Sequence, residues 1–213
     1  MARPERIDAV LFDFDGTLCN TEVVNLRLVQ GVLRQMGAEV SLGELEVLTG
    51  GEDRVTVPSI LERHHVAGTI DDYERLRDNC YHTYAEAPLT LEPSALDLLD
   101  SLRARGTKVG LVSMTVARCI LTGVARLRIL DRFDVVVCGD MVSRRKPAPD
   151  PYLRAAELLG VDPAHCIAVE DSPTGIRSAK AAGCHVIAYT GCDIVQDVSA
   201  ADEVIDSFVG LAL

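Results

Sequence analysis

Two aspartates, Asp13 and Asp15, stand in the segment DFDGTL at residues 13–18, directly after a β-prone run at residues 7–12. Two carboxylates at the end of one strand can converge on a hard cation such as Mg²⁺, and Gly16 permits the sharp turn that follows them. An acidic loop whose side chains only cap backbone groups is the plainer alternative for such a pair. Polar residues that follow two other strands decide between these interpretations.

A second pair of carboxylates, Glu170 and Asp171, follows the β-prone run at residues 166–169. Adjacent buried carboxylates repel each other unless a metal ion or hydrogen bonds offset the repulsion. Together with Asp13 and Asp15 they place four carboxylates at two strand ends. This arrangement indicates a Mg²⁺ site, because that ion prefers oxygen ligands. Taken alone, the second pair could equally cap the helix that is predicted to start nearby.

A hydroxyl and a cation complete the set of residues that could take part in catalysis. Ser113 follows the run at residues 109–112 and precedes a predicted helix, where its hydroxyl and free backbone N–H groups can hold a phosphate. A lone serine at such a place is more often a plain N-cap. Two prolines stiffen the loop that carries Lys146, and a rigid ammonium beside carboxylates can neutralise an attacking aspartate and a phosphoryl group. A solvated basic turn is the alternative for this loop.

The elements that must position these residues alternate along the chain. Five β-prone runs suit the interior of a parallel sheet, and a short sixth run is expected to form an edge strand. One predicted helix has Asp150 as its N-cap and ends at Gly160. Repeated strand–helix–strand units predict an α/β fold with a doubly wound, Rossmann-like, mainly parallel sheet. The six runs are residues 7–12, 109–112, 135–138, 166–169, 186–189 and 203–205.

Residues 20–88 break this alternation and contain no convincing strand. An all-α insertion directly after the first strand is expected to form a cap over the strand ends. We therefore predict a discontinuous α/β core of residues 1–19 and 89–213, with a helical cap domain of residues 20–88. The helices predicted in this cap are residues 21–36, 58–65 and 71–85.

Composition excludes several classes of partner. The 213 residues carry 21 Lys and Arg against 32 Asp and Glu, a formal charge of -11. An acidic surface repels phosphate polymers and anionic lipids, so we expect neither nucleic acid nor a membrane as a partner. The seven cysteines, an odd number without CxxC spacing, argue against a disulfide framework and a structural zinc site. We expect a reduced, cytoplasmic protein without a spanning helix, and a monomer.

The order and strand-end placement of these residues resemble the haloacid dehalogenase (HAD) superfamily of phosphohydrolases, and the likeness covers nearly the whole chain. The segments KPAPD at residues 146–150 and EDSPTGI at residues 170–176 look like the branch that contains β-phosphoglucomutase and small sugar-phosphate phosphatases. That branch carries a helical cap between motifs one and two. The residues that correspond to the four motifs are the DFDGTL segment, Ser113, Lys146, and the pair Glu170 and Asp171.

This resemblance implies a role for each motif residue. Asp13 would be the nucleophile that forms an aspartyl-phosphate, and Asp15 would protonate the leaving oxygen and then deprotonate water. Ser113 and Lys146 would bind the phosphoryl oxygens. A Mg²⁺ cofactor would bridge the phosphoryl group and the carboxylates. The residues that would hold it are Asp13, Asp15 through its backbone carbonyl, Asp171, and Glu170 through water.

Two residues of the predicted cap bear on the substrate. The segment TGGEDR at residues 49–54 resembles a cap loop that reaches the active site in this branch, so Arg54 is expected to contact the substrate. A surface ion pair of Arg54 with Glu52 or Asp53 is the alternative. Asn25 stands where β-phosphoglucomutases usually carry a histidine that helps suppress hydrolysis. This departure favours a phosphatase over a mutase.

The sequence thus predicts a Mg²⁺-dependent phosphatase acting on a small phosphorylated metabolite, a sugar phosphate or sugar-acid phosphate, through an aspartyl-phosphate. A phosphosugar mutase of the β-phosphoglucomutase type is the first alternative. A catalytically silent regulator that kept the HAD fold is the second. The complete set of motif residues argues against the silent regulator, because a protein that only binds needs no such set.

Overall fold

The computed structural model describes residues 2–49, 53–194, 196–211 and 213, and within them the centre of the molecule is a six-stranded parallel sheet. The strands are β1 (Ala9–Phe12), β2 (Lys108–Val112), β3 (Val135–Val137), β4 (Cys166–Glu170), β5 (His185–Tyr189) and β6 (Glu203–Ile205). They lie in the order β3-β2-β1-β4-β5-β6. The order reverses between β1 and β4, and the crevice beyond the carboxyl ends of two such strands is where ligands bind in open α/β sheets.

Helices cover both faces of this sheet. The helices of the sheet region are α6 (Ala95–Ala104), α7 (Ala117–Arg126), α8 (Asp150–Leu159) and α9 (Pro173–Ala182), in the numbering that follows the whole chain. Val10 and Phe12 pack with α6 and α7 on one face, while Ala9 and Leu11 pack with α8 and α9 on the other. All four residues of β1 are fully buried. The predicted doubly wound α/β fold is confirmed, because β1 is apolar on both faces and needs a helical layer on each.

Local sequence signals set the helix ends near the site. The hydroxyl of Ser172 accepts a hydrogen bond from the backbone N–H of Gly175 at 3.1 Å and so caps the start of α9. Helix α8 ends at Gly160, whose φ of 65° is the left-handed conformation that glycine adopts at low cost. Its first helical residue is Asp150 and Pro149 is the N-cap, so the predicted N-cap at Asp150 was wrong by one residue.

Between β1 and α6, within residues 22–85, the described residues form helices and the short connections that join them. The helices are α1 (Glu22–Met36), α2 (Leu42–Leu45), α3 (Asp53–Arg63), α4 (Ile70–Arg77) and α5 (Tyr81–Ala85). They bury an apolar cluster of their own, with Leu33, Ile60 and Tyr73 among its fully buried members. At the base of this segment the backbone N–H of Asn20 donates to the carbonyl of Thr90 at 3.1 Å. The boundaries of a cap domain at residues 20 and 88 stay a prediction.

Two predicted helices in this segment have different limits in the structure. Helix α3 begins at Asp53 and contains Pro58, whereas the prediction started a helix at that proline. Pro58 has no N–H to donate to the carbonyl of Arg54, which is exposed in the first turn, where water can replace the bond. The predicted helix over residues 71–85 is interrupted after α4, because Asp78 and Cys80 adopt φ angles of 45° and 59°.

No helix in the described part of the chain combines the length and apolar character that crossing a membrane requires.

Candidate active site

Three carboxylates reach the carboxyl edge of the sheet at two neighbouring strands. Asp13 continues the pairing of β1, because its backbone N–H donates to the carbonyl of Val169 on β4 at 2.9 Å. Strand β4 then ends at Glu170, and Asp171 follows directly. The motif residues from positions 13 and 170–171 therefore meet beside the point where the strand order reverses.

Lys146 brings a positive charge to these carboxylates from the loop between β3 and α8. Its ammonium donates to Asp13 Oδ1 at 2.6 Å and to Glu170 Oε1 at 2.5 Å, and also to the carbonyl of Val112 at 2.9 Å. The Lys146 side chain is only 5% exposed. Burial alone would lower the pKa of Lys146, but the two carboxylates outweigh it and hold that pKa above its ordinary value. The ammonium therefore stays charged.

Glu170 is fully buried and is fixed from three sides. The Tyr152 hydroxyl donates to Glu170 Oε1 at 2.6 Å, and the Ser172 hydroxyl donates to Oε2 at 3.1 Å. The ring of Tyr152 also lies under the Lys146 ammonium, with 5.2 Å between Nζ and the ring centroid. Because both oxygens of Glu170 already accept hydrogen bonds, this carboxylate is less suited to direct metal ligation than its neighbours are.

In the described part of the chain, Asp13, Glu170 and Asp171 offer carboxylate oxygens that lie within 4.8 Å of one another. Burial raises the pKa of Asp13 well above its usual range, opposed by Lys146 and reinforced by the neighbouring carboxylates. Burial and then Glu170 raise the pKa of Asp171, although Thr17 donates a hydrogen bond to it at 3.1 Å. One ammonium does not balance three carboxylates, so the cluster has excess negative charge. A divalent cation, which prefers oxygen ligands, would compensate this charge.

Glycines let the backbone approach two of these carboxylates closely. Gly16 has a φ of 82°, and a Cβ atom there would overlap the carboxyl group of Asp171. A Cβ atom at Gly175, in the first turn of α9, would overlap the carboxyl group of Glu170. The glycines of the segments DFDGTL and EDSPTGI are therefore needed because a larger residue would overlap these carboxyl groups. Gly16 is also needed for its positive φ angle.

Asp15 has different surroundings from Asp13. Its Oδ1 accepts hydrogen bonds from the hydroxyls of Thr21 at 2.8 Å and Tyr84 at 2.5 Å. Its Oδ2 accepts from the hydroxyls of Ser113 and Thr115, each at 3.1 Å. Among the described residues, the side chains that donate to Asp15 are thus all neutral hydroxyls. We call Thr21, Tyr84, Ser113 and Thr115 the hydroxyl cradle.

The chain that carries this arrangement is similar to known proteins. The sequence pattern of the family described as haloacid dehalogenase-like hydrolase matches residues 10–189, which contain every residue of this site. The chain belongs to this family. The predicted family and enzyme class, a HAD-like phosphatase, are confirmed by this match and by relatives that are named phosphatases.

Individual members of the HAD family give a more specific comparison. Hexitol phosphatase A of Escherichia coli (strain K12) is 37% identical over 193 residues, covering 86% of this chain and 83% of that protein. A solved structure of mutant CbbY from Rhodobacter sphaeroides in complex with xylulose-(1,5)bisphosphate has a TM-score of 0.79 at 28% identity. It covers 97% of this chain and 96% of that one. The chain spans 18% of the length of Arabidopsis thaliana SUPPRESSOR OF QUENCHING 1, chloroplastic, to which it is 31% identical.

Most of the residues predicted for a HAD active site lie together. Asp13, Lys146, Glu170 and Asp171 form one hydrogen-bonded and charged cluster at the strand ends. Ser113 lies beside Asp15 and, through its Oγ, accepts the backbone N–H of Thr115 at 3.0 Å. Helix α7 begins at Ala117 with Val116 as its N-cap, so the alternative of a plain N-cap at Ser113 was wrong. The roles assigned to these residues stay predictions.

Arg54 lies apart from this cluster. Its guanidinium is exposed on α3 and forms ion pairs with Asp71, at 3.2 Å, and with Glu74. Among the described residues no hydrogen bond joins it to the strand-end carboxylates. Residues 50–52 of the segment TGGEDR lie outside the described residues, and the predicted contact of Arg54 with the substrate stays a prediction.

Several side chains around the site carry no motif signal in the sequence. Thr115 shares a loop with Ser113 and could have been found by asking which neighbours of motif two carry hydroxyls. Tyr84 is 69 residues from Asp15, and no local pattern marks it. Glu22, at the start of α1, is also unmarked; burial and then the Asp15 carboxylate raise the pKa of Glu22 to about 7. The set is Thr21, Glu22, Tyr84, Thr115 and Tyr152.

Proposed function

We propose that this protein is a Mg²⁺-dependent phosphatase that hydrolyses a sugar phosphate or sugar-acid phosphate through an aspartyl-phosphate on Asp13. The observation that carries the proposal is the hydrogen bond of 2.6 Å from the Lys146 ammonium to Asp13, inside a cluster of buried carboxylates at the strand ends. A carboxylate and a phosphoryl group are both negatively charged and repel each other. A cation fixed beside the carboxylate offsets this repulsion during the attack.

In the first step an oxygen of Asp13 bonds to phosphorus, and the bond from phosphorus to the leaving oxygen breaks. Asp15 gives its proton to that leaving oxygen, so that a neutral alcohol departs. Lys146 keeps its charge throughout, since Asp13 and Glu170 hold its pKa above the ordinary value. It offsets the charge of the phosphoryl oxygens as they approach the carboxylates, and Ser113 lies close enough to Asp15 to take part in binding them.

In the second step Asp15, now a carboxylate, takes a proton from a water molecule that attacks the phosphorylated Asp13. The water oxygen bonds to phosphorus, the bond to Asp13 breaks, and inorganic phosphate leaves with the carboxylate of Asp13 restored. The hydroxyl cradle suits both states of Asp15, because a hydroxyl can donate to a carboxylate and accept from a carboxylic acid by rotating its O–H bond.

The excess negative charge among Asp13, Glu170 and Asp171 supports Mg²⁺ as the cofactor. Asp13, Asp171 and the backbone carbonyl of Asp15 would hold the ion. Glu170 would act through water, because Tyr152 and Lys146 engage its Oε1 and Ser172 engages its Oε2. When bound, Mg²⁺ supplies positive charge to the phosphoryl oxygens. The chain's own residues shield this place from bulk solvent, since Asp13 and Asp171 are only 7% and 4% exposed.

Mg²⁺-dependent phosphate release from a panel of small phosphate esters tests the proposal, with sugar phosphates, hexitol phosphates and phosphoglycolate among them. We expect turnover of at least one ester that EDTA abolishes. Asp13→Asn should remove it, whereas Asp97→Asn, the same change at an exposed position of α6, should not. Borohydride should reduce the trapped acyl phosphate and convert Asp13 to homoserine, which mass spectrometry detects.

Each alternative function predicts a separate result. Full activity of folded Asp13→Asn would refute the aspartyl-phosphate. Interconversion of β-glucose 1-phosphate and glucose 6-phosphate with little phosphate release would identify a mutase. Against the mutase, the amide oxygen of Asn25 accepts hydrogen bonds from Arg77 at 2.8 Å and Thr83 at 3.3 Å, and an amide offers no titratable base. No turnover of any ester would support a silent regulator.

A further inference from the structure

The contact of Tyr84 with Asp15 joins the helical segment of residues 22–85 to the strand-end site. Tyr84 belongs to α5, and its hydroxyl donates to Asp15 Oδ1 at 2.5 Å and lies 3.2 Å from Thr115 Oγ1. The residue is only 4% exposed. A phenol buried to this degree needs a hydrogen-bond partner, and here that partner is the carboxylate proposed as acid and base.

The rest of Tyr84 is held firmly in place. Its ring packs against that of Phe14, with 6.3 Å between the centroids, and Arg126 on α7 donates to its backbone carbonyl at 2.6 Å. Burial, and then the Asp15 carboxylate, raise the pKa of Tyr84 well above its ordinary value, so the phenol keeps its proton. The hydroxyl oxygen therefore has a fixed position, because the ring and the backbone of Tyr84 are both anchored.

The two oxygens of Asp15 are bound by different parts of the chain. Thr21, directly before the helical segment, and Tyr84, in its last helix, bind Oδ1. Ser113 and Thr115, from the loop after β2, bind Oδ2. A carboxylate bound at both oxygens has one orientation, and Tyr84 makes the shortest of these bonds. Without Tyr84, Oδ1 keeps Thr21 alone and the carboxyl group can rotate more freely.

We infer that Tyr84 is a positioning residue for proton transfer, which aims the carboxyl group of Asp15 at the leaving oxygen. The inference rests on the proposed role of Asp15 as the acid. Loss of the phenol should therefore slow the cleavage of esters whose leaving group needs a proton. It should have little effect where the leaving group departs as a stable anion, because protonation then contributes little to the rate.

The test compares phenyl phosphate with 4-nitrophenyl phosphate, which share a ring and differ in the acidity of the leaving phenol. Tyr84→Phe keeps the ring that packs on Phe14 and removes only the hydroxyl. We expect kcat/KM to fall about 10-fold for phenyl phosphate and about 2-fold or less for 4-nitrophenyl phosphate, with KM unchanged for both. The ratio of the two kcat/KM values does not depend on the fraction of enzyme that is folded.

Tyr81→Phe is the matched control, because Tyr81 lies on the same helix and its ring stacks on Arg118, at 4.0 Å, away from Asp15. The ratio of kcat/KM for the two esters should be the same in Tyr81→Phe as in the wild type. An equal loss on both esters for Tyr84→Phe, a change confined to KM, or the same ratio shift in Tyr81→Phe would overturn the inference.

Asp15→Asn separates this inference from the proposed function. If Asp15 is the acid, this variant should shift the ratio of the two esters more than Tyr84→Phe does. A shifted ratio in Asp15→Asn together with an unchanged ratio in Tyr84→Phe would overturn the role of Tyr84 alone. An unchanged ratio in both variants would remove the acid role of Asp15 and the inference with it.

Discussion

Asp13 and Asp15 are separated by one residue, yet their carboxylates lie in opposite kinds of environment. Asp13 is surrounded by charge, with the ammonium of Lys146 at 2.6 Å and the carboxylates of Glu170 and Asp171 close by. Asp15 is bound by the neutral hydroxyl cradle, with donors between 2.5 and 3.1 Å away. Side chains two residues apart on a continuous strand point to the same side, so it is the turn after β1, where Leu18 and Cys19 donate to the carbonyl of Phe14, that separates the two carboxylates.

This difference in surroundings suits the two aspartates to different chemical roles. An ammonium can only donate hydrogen bonds, so Lys146 favours the carboxylate form of Asp13 and opposes the burial that raises the pKa of this residue. The carboxylate is the form that a nucleophile or metal ligand needs. A hydroxyl both donates and accepts, so the cradle tolerates an acid that gains and loses a proton. The environment of each side chain, more than its identity as aspartate, therefore supports the role proposed for it.

Removing the cation on the Asp13 side should have the largest effect. Lys146→Met leaves Asp13 and Glu170 as unpaired buried carboxylates, so we expect kcat to fall by about 10³-fold or more. The free energy of unfolding without metal should fall by about 3–5 kcal/mol. Phosphate release and urea unfolding measure the two effects.

The control for this variant is Arg144→Met, which breaks the exposed ion pair of Arg144 with Asp150 in the same loop. Exposed pairs contribute about 1 kcal/mol or less, so its stability and activity should stay close to those of the wild type. Equal losses in the two variants would mean that the charge on Lys146 has no special place in the site.

A smaller disturbance of the same side is Gly16→Ala, whose Cβ atom would push against the Asp171 carboxyl group. We expect kcat/KM to fall by about 10²-fold, the loss typical of a displaced active-site group. Gly37→Ala is matched in backbone angle, with a φ of 100°, and a Cβ there meets no atom within 4 Å. It should cost about 1–2 kcal/mol of stability and no activity. A similar loss of activity in both variants would attribute the effect to backbone strain alone.

Tyr152→Phe tests whether Glu170 needs its hydrogen-bonded neighbour. Without the bond of 2.6 Å, Glu170 is less well oriented, and we expect the Mg²⁺ concentration for half-maximal activity to rise by about 10-fold. Tyr73→Phe removes a comparable bond, from a buried phenol to the carboxylate of Asp53 at 3.0 Å within the helical segment. Its Mg²⁺ requirement should not change, and a rise as large as that of Tyr152→Phe would contradict the prediction.

Glu22→Gln tests the surroundings of Asp15 and should have the smallest effect on turnover of the variants considered. The folded protein raises the pKa of Glu22 from 4.5 to about 7, so between these pH values the folded state binds more protons than the unfolded state. The wild type should therefore lose about 1–3 kcal/mol of stability relative to Glu22→Gln as the pH rises through this window, with no difference below it. Urea unfolding in EDTA from pH 4 to pH 8 measures this, and parallel curves would contradict it.

Much of the fold and of the Asp13 side follows from local sequence. The apolar residues of β1 require a helix layer on each face, and the carboxyl ends of parallel strands meet at one edge. The motif residues after β1 and β4 therefore had to converge. The helical segment was less predictable: Pro58 lies inside α3, and the left-handed residues Asp78 and Cys80 interrupt the predicted helix of residues 71–85.

The sequence by itself determined which residue types reach the strand ends, since that depends on strand period and on the residues directly after each strand. Only the tertiary structure decided what surrounds each carboxylate. Tyr84 meets Asp15 across 69 residues, and Tyr152 meets Glu170 from the preceding helix, α8. Neither contact leaves a periodic trace in the chain. Hydrogen bonds between distant elements depend on how helices pack, and packing is set by the whole core rather than by any one segment.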